Sequence, residues 1–236
     1  MNDVINRKTR FIDLGLKDYK EAWDYQTSLF EKTLATKSGN RDLPVGEQAA
    51  TENYLIFCEH PHVYTLGKSG KESNLLVDVA SVGASYYHIN RGGDITYHGP
   101  GQIVVYPVID MENFFTDIHK YMRLLEEAVI QTCKAYGISA GRIPGLTGVW
   151  VDYENEATAR KICALGVKTS RWVAMHGLAL NVNTDLAYFG NIIPCGIEDK
   201  SVTSVSKELG AGQDMRAAID LLKKNIVEQF GMELYD

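Results

Sequence analysis

Long apolar runs are missing from this chain. Nowhere does one approach the roughly 18 residues that a membrane-spanning helix needs, so no bilayer span is expected. The opening stretch MNDVINRKTRF lacks the apolar core of a secretory signal, and a cytoplasmic location is expected. Basic charge is also short: 24 Lys and Arg face 30 Asp and Glu, for a formal net charge of -6. That balance sets aside a general nucleic-acid binder, which draws its affinity from cations facing phosphates. Cysteine is sparse, and Cys58, Cys133, Cys163 and Cys195 form neither a CxxC zinc pattern nor a dense disulfide framework. Free thiols are expected. The HPH of residues 60–62 lacks a third ligand nearby, and no metal is expected.

What is present suits a substantial core. The 236 residues are 45% apolar, which predicts a single α/β domain over 1–236. A first strand is expected around residues 10–14, then an amphipathic helix from Lys17 carrying Tyr19, Ala22, Trp23, Gln26, Leu29, Phe30, Thr33 and Leu34. Residues 36–51 turn polar with no apolar period and read as loop. Strand-like runs follow at NYLIFCEH, HVYTLG, SYYHIN and QIVVYPVI, the last apolar enough to be buried on both faces. A helix capped at Thr116 or Asp117 runs to Gly137, and another spans about 214–229. Between these helices, short strands are expected at GVWVDY, KICALGV, RWVAM and GLALNVN. Without a regular βαβ repeat, the order predicts a mixed sheet with flanking helices, an α+β type of α/β fold.

Residues 91–102, RGGDITYHGPGQ, place four glycines, an Arg and two hydrogen-bonding aromatics before the buried strand. Glycine at that density lets backbone pass close to a ligand, although an isolated glycine pair more often marks a turn. The block closely resembles the signature of the lipoyl(octanoyl) transferases, the lipoate B family. Two further blocks of the family pattern follow in order, KICALGVKTSRWVAMHGLALNVNTDL from Lys161 and IIPCGI from Ile192. The likeness runs from about residue 54 to 205.

The resemblance implies a catalytic domain like that of biotin and lipoate protein ligases. It implies transfer of octanoyl from octanoyl-acyl carrier protein to the lipoyl domains of 2-oxoacid dehydrogenase E2 subunits and to the glycine cleavage H protein. No cofactor, nucleic acid or membrane enters that chemistry. Cys195 matches the acyl-thioester cysteine of the pattern, and Lys161 the lysine that partners it. Taken alone, a free cysteine is more often an inert buried residue, and a lone lysine a solvated charge. The match also assigns substrate contacts to Arg91, Gly92, Gly93, Asp94, Ile95, Thr96, Tyr97 and His98, to Ala164, Leu165 and Gly166, and to Gly177, Leu178 and Ala179. His176 is read with them as a site-lining group. Burying the seven methylenes of an octanoyl chain at about 0.8 kcal/mol each would give roughly 5–6 kcal/mol, enough to reject much shorter chains. Lys161, Lys168, Arg171 and Lys200 are candidates for a basic docking patch.

Three rivals stand beside this reading. An ATP-dependent lipoate or biotin protein ligase would share the fold but needs no cysteine nucleophile. A non-catalytic binding module would need neither Lys161 nor Cys195. A cysteine hydrolase would pair Cys195 with His176 and pass the acyl group to water.

Overall fold

The computed structural model describes residues 5–155, 157–193 and 201–235. Strand β1 (Lys8–Leu16) leads into helix α1 (Tyr19–Asn40), and β2 (Asn53–Glu59) returns parallel to β1. Strands β3 (Val63–Leu66), β4 (Ser85–His88) and β5 (Ile95–His98) build a small separate sheet in the order β4-β3-β5. The main sheet continues with β6 (Gln102–Asp110), α2 (Ile118–Ala135), β7 (Ala140–Gly141), β8 (Val149–Val151), β9 (Arg160–Ser170) and β10 (Val173–Asn181). Short β11 (Ser201–Val202), α3 (Val205–Leu209), α4 (Met215–Phe230) and β12 (Glu233–Tyr235) complete it. Its strand order is β12-β1-β2-β6-β10-β9-β8-β7, with β11 lying against β9.

Alternation along the central strands explains the layering. Leu55 and Phe57 of β2, with Ile103 and Val105 of β6, pack under α2 and α4 against Tyr121, Leu125, Leu222 and Ile226. Tyr54 and Ile56, with Val104, Tyr106 and Val108, face α1 through Ala22 and Phe30. All nine residues of β6 are buried, as its apolar run predicts. Asp117 caps α2 by accepting from Lys120 N, and Asp214 caps α4 by accepting from Arg216 N and Ala217 N.

Two expectations need correcting. The polar stretch from residue 36 is helix through Asn40, because its polar groups find fixed partners rather than water. Lys37 Nζ reaches Asp110 at 2.6 Å and Glu112 at 2.8 Å, and Asn40 brackets Ala49 through both its backbone groups. The runs RWVAM and GLALNVN, expected as two strands, are one strand, β10. The break in pattern is the hairpin before it, where Arg171 (φ 49°) and Trp172 (φ 63°) make a left-handed turn without glycine.

Candidate active site

Where β5 and the loop before it fold over β6, β9 and β10, they enclose a cavity of about 490 Å³. The glycine block shapes its rim. Lys68 N and Ser69 N donate to Arg91 O and Gly93 O, and Gly92 N donates to Val167 O at 2.9 Å, tying the loop to β9. A Cβ on Gly67 would sit 2.3 Å from Gly93 O, and one on Gly166 would sit 2.8 Å from Gly92 O, so backbone meets backbone here without room for side chains. Arg91 is buried and donates to Thr65 O at 2.7 Å, Thr65 Oγ1 at 3.0 Å and Gly92 O at 3.0 Å. Asp94 accepts from Ile95 N and from Asn74 Nδ2.

Three buried histidines surround this region, all held neutral. Burial pushes His60 down to about 4 and His98 and His176 down to about 3, with His60 adding repulsion at His98 and the Arg91 guanidinium at His176. Gln102 Nε2 donates to Tyr97 O and Asn181 Oδ1, so its Oε1 faces His98 Nδ1 at 2.7 Å and that nitrogen carries the proton. His60 donates from Nδ1 to Lys17 O, which leaves Nε2 to accept from the Tyr106 hydroxyl at 2.8 Å. His176 Nε2 is buried with no hydrogen-bond partner. Bases this weak do little proton abstraction near neutral pH.

Lys161 stands at the start of β9, opposite Trp150 of β8 on one side and Val202 of β11 on the other. Its Nζ lies 4.6 Å from the centre of the Trp150 ring, and among the described residues it makes no hydrogen bond or ion pair. Lys161, Trp150, Ser201 and Val202 all border the cavity. Cys58, Cys133 and Cys163 are buried, and burial raises all three thiols, Cys133 to about 12. None of the three is poised as a thiolate. Cys195 and Lys200 lie outside the described residues.

Of the other residues expected to contact substrate, Arg91 to Thr96, His98, Ala164 to Gly166 and His176 to Ala179 border the cavity. Tyr97 does not. Its ring stacks on that of Tyr188 at 4.9 Å, with its hydroxyl 2.7 Å from His62 Nδ1. Of the four candidates for a basic patch, three are among the described residues. Lys168 lies over Phe30 and Arg171 bonds Ser38, both on α1, while Lys161 faces Trp150.

The chain matches the lipoyl protein ligase A/B catalytic domain over residues 18–230. It is 58% identical to an octanoyltransferase of Cytophaga hutchinsonii, with 99% of this chain and 97% of that one covered. The chain belongs to the octanoyltransferase family.

Solved structures agree on the fold of this octanoyltransferase family member. A bi-partite lipoate protein ligase described with its E2 lipoyl domain, from Thermoplasma acidophilum, superposes with a TM-score of 0.70 at 17% identity, covering 97% of this chain and 86% of that one. A biotin protein ligase from Aquifex aeolicus in complex with biotin and ATP gives 0.52 at 12% identity, covering 96% and 71%. The mixed α/β ligase-type fold expected from sequence is the observed one, and the ligase alternative is not favoured by likenesses this distant.

Sequence reasoning passed over several cavity residues of this octanoyltransferase relative, among them Val104, Tyr106, Met122, Leu146, Trp150 and Phe189. A signal existed for two of them. Val104 and Tyr106 share one parity in β6, so identifying that face would have brought both to the cavity. Met122 and Leu146 lie outside the three blocks that carry the family resemblance, and the tertiary fold brings them in.

Proposed function

We propose that the protein moves an octanoyl group from octanoyl-acyl carrier protein, by way of a thioester on Cys195, to the lysine amine of lipoyl domains. The acceptors in this reading are the E2 subunits of 2-oxoacid dehydrogenases and the glycine cleavage H protein, modified in the cytoplasm. The observation that carries it is Lys161 Nζ at the edge of a mostly apolar cavity, without a hydrogen-bond or ion-pair partner among the described residues. The family's octanoyltransferase members support the acyl group, and the sealed state of the other three cysteines supports Cys195 as the nucleophile.

In the first half-reaction the Cys195 thiolate attacks the donor's thioester carbonyl. The new carbon–sulfur bond forms as the bond to the carrier's thiol breaks, and the Lys161 ammonium gives the leaving thiolate its proton. In the second, the acceptor amine attacks the acyl-enzyme, Lys161 takes up the amine proton, and Cys195 departs as thiolate. Thioester exchanges for thioester and then for amide, so no ATP is consumed. Neutral His98 and His176, held at about 3, support proton transfer by the lysine and not by an imidazole of the papain kind.

The test is transfer to an isolated lipoyl domain from octanoyl-acyl carrier protein without ATP, followed by mass. Octanoyl-lysine without ATP supports the proposal. A requirement for ATP and free octanoate would point to a ligase, and release of octanoate in place of octanoyl-lysine to a hydrolase.

A further inference from the structure

Lys161 and Trp150 are direct cross-strand partners in the β8-β9 ladder, so both side chains emerge on the same side of the sheet. Trp150 is 1% exposed, and its rigid ring offers the lysine a face at 4.6 Å. The stem of Lys161 has its own slot. A Cβ on Gly148, where φ is +125°, would come 3.3 Å from Lys161 Cε and 2.9 Å from Cys163 O. Gly148 is itself fixed, its N–H donating at 3.2 Å to Glu126, a buried carboxylate that also accepts from Arg123 and Arg142. An ammonium held by an aromatic face keeps its three donors for other partners, whereas an ion pair would occupy them.

We infer that Trp150 is a positioning residue for the transfer reaction, its indole face holding the Lys161 ammonium at the cavity edge in place of a carboxylate partner. This rests on the proposed role of Lys161. Trp150 acts through the lysine: its ring fixes where the charge sits, while the missing side chain of Gly148 leaves room for the stem beside it. A carboxylate at the same place would compete with a thiolate for that charge, and the ring does not.

The experiment uses full-length protein labelled at lysine 13Cε, compared as wild type, W150F, W150L and K161M. Lys20, Lys120, Lys168 and Lys223 also lie over rings, so the Lys161 signal is the one missing in K161M. Wild type is expected to show an upfield-shifted Lys161 ε-methylene resonance, kept but weaker in W150F and returned to the ordinary position in W150L. Octanoyl transfer is expected to fall about ten-fold in W150L and much less in W150F, the scale an aromatic face lends a cation. An unshifted Lys161 signal in wild type, which needs no variant to fold, would overturn the inference, as would equal losses in W150F and W150L. If K161M transfers normally, the role given to Lys161 fails while the ring-current result stands on its own.

Discussion

Pro107 of β6 and His176 of β10 stand opposite each other in the middle of the main sheet, bracketed by the pairs Ala174 with Ile109 and Leu178 with Val105. Proline has no N–H to give the ladder, and at that point β10 turns to a φ of 60° at His176 and sends its own N–H to Gln26 Oε1 on α1 at 3.0 Å. A central proline is thus accommodated by a local departure of its neighbour, and the departure carries the His176 side chain to the cavity wall. Non-glycine residues in this region of backbone space are held there by their surroundings.

Gly177 follows directly and makes the close approach possible. A Cβ there would lie 2.3 Å from Val105 O and 2.6 Å from Pro107 Cδ, so backbone or proline must move. Gly177→Ala is expected to lower stability by about 2–3 kcal/mol, the scale of forced overpacking, seen as a lower urea midpoint at unchanged slope. A midpoint equal to wild type would show that the strands give way freely.

The buried histidines make stability depend on pH. His60, His98 and His176 have native values near 4, 3 and 3 against 6.5 for an unburied imidazole, so between about pH 6.5 and 3 the unfolded chain binds more protons. Stability therefore falls as pH drops through that window. His98→Gln is expected to reduce the slope there by up to about 1.4 kcal/mol per pH unit, one proton's worth, in urea titrations at several pH values. An unchanged slope would mean that His98 is protonated in the native protein.

The end of α1 offers a test of the part of the fold least visible in sequence. Asp110 is fully buried, accepts from Thr51 Oγ1 at 2.9 Å, and has Lys37 as its cation at 2.6 Å. Lys37→Met strands that carboxylate and is expected to cost about 3 kcal/mol, while adding Asp110→Asn should recover much of the loss. No recovery in the double variant would assign the loss to helix packing.

The contrast between elements says what was readable. Helices α2 and α4 announce themselves because each repeats its apolar face and starts at an aspartate cap. Residues 36–40 do not, since their helical state rests on Lys37 meeting Asp110 some 73 residues away, which no local period records. Likewise the motif located Lys161, but its neighbours Trp150 and Val202 come from pairings of β8 and β11 that depend on the whole sheet. Tyr97 shares a motif with Thr96 and His98 and still stands off the cavity, because its ring packs on Tyr188 and its hydroxyl meets His62, contacts that a motif does not record.

Lys161 is expected to affect chemistry more than binding. Lys161→Ala should reduce the rate of octanoyl transfer by about 10²- to 10⁴-fold, the range for a positioned acid–base group, with a smaller change in KM for the donor. A KM effect with kcat intact would make Lys161 a binding residue only.

The central claim is that the octanoyl group rests on Cys195 during transfer. Its most direct measurement is the intact mass of the protein after mixing with octanoyl-acyl carrier protein, without ATP or acceptor. Wild type should gain one octanoyl group, labile to hydroxylamine, that is absent in Cys195→Ala. An adduct of the same mass surviving in Cys195→Ala, or no adduct in a wild-type sample that still transfers octanoyl to lipoyl domains, would contradict the account.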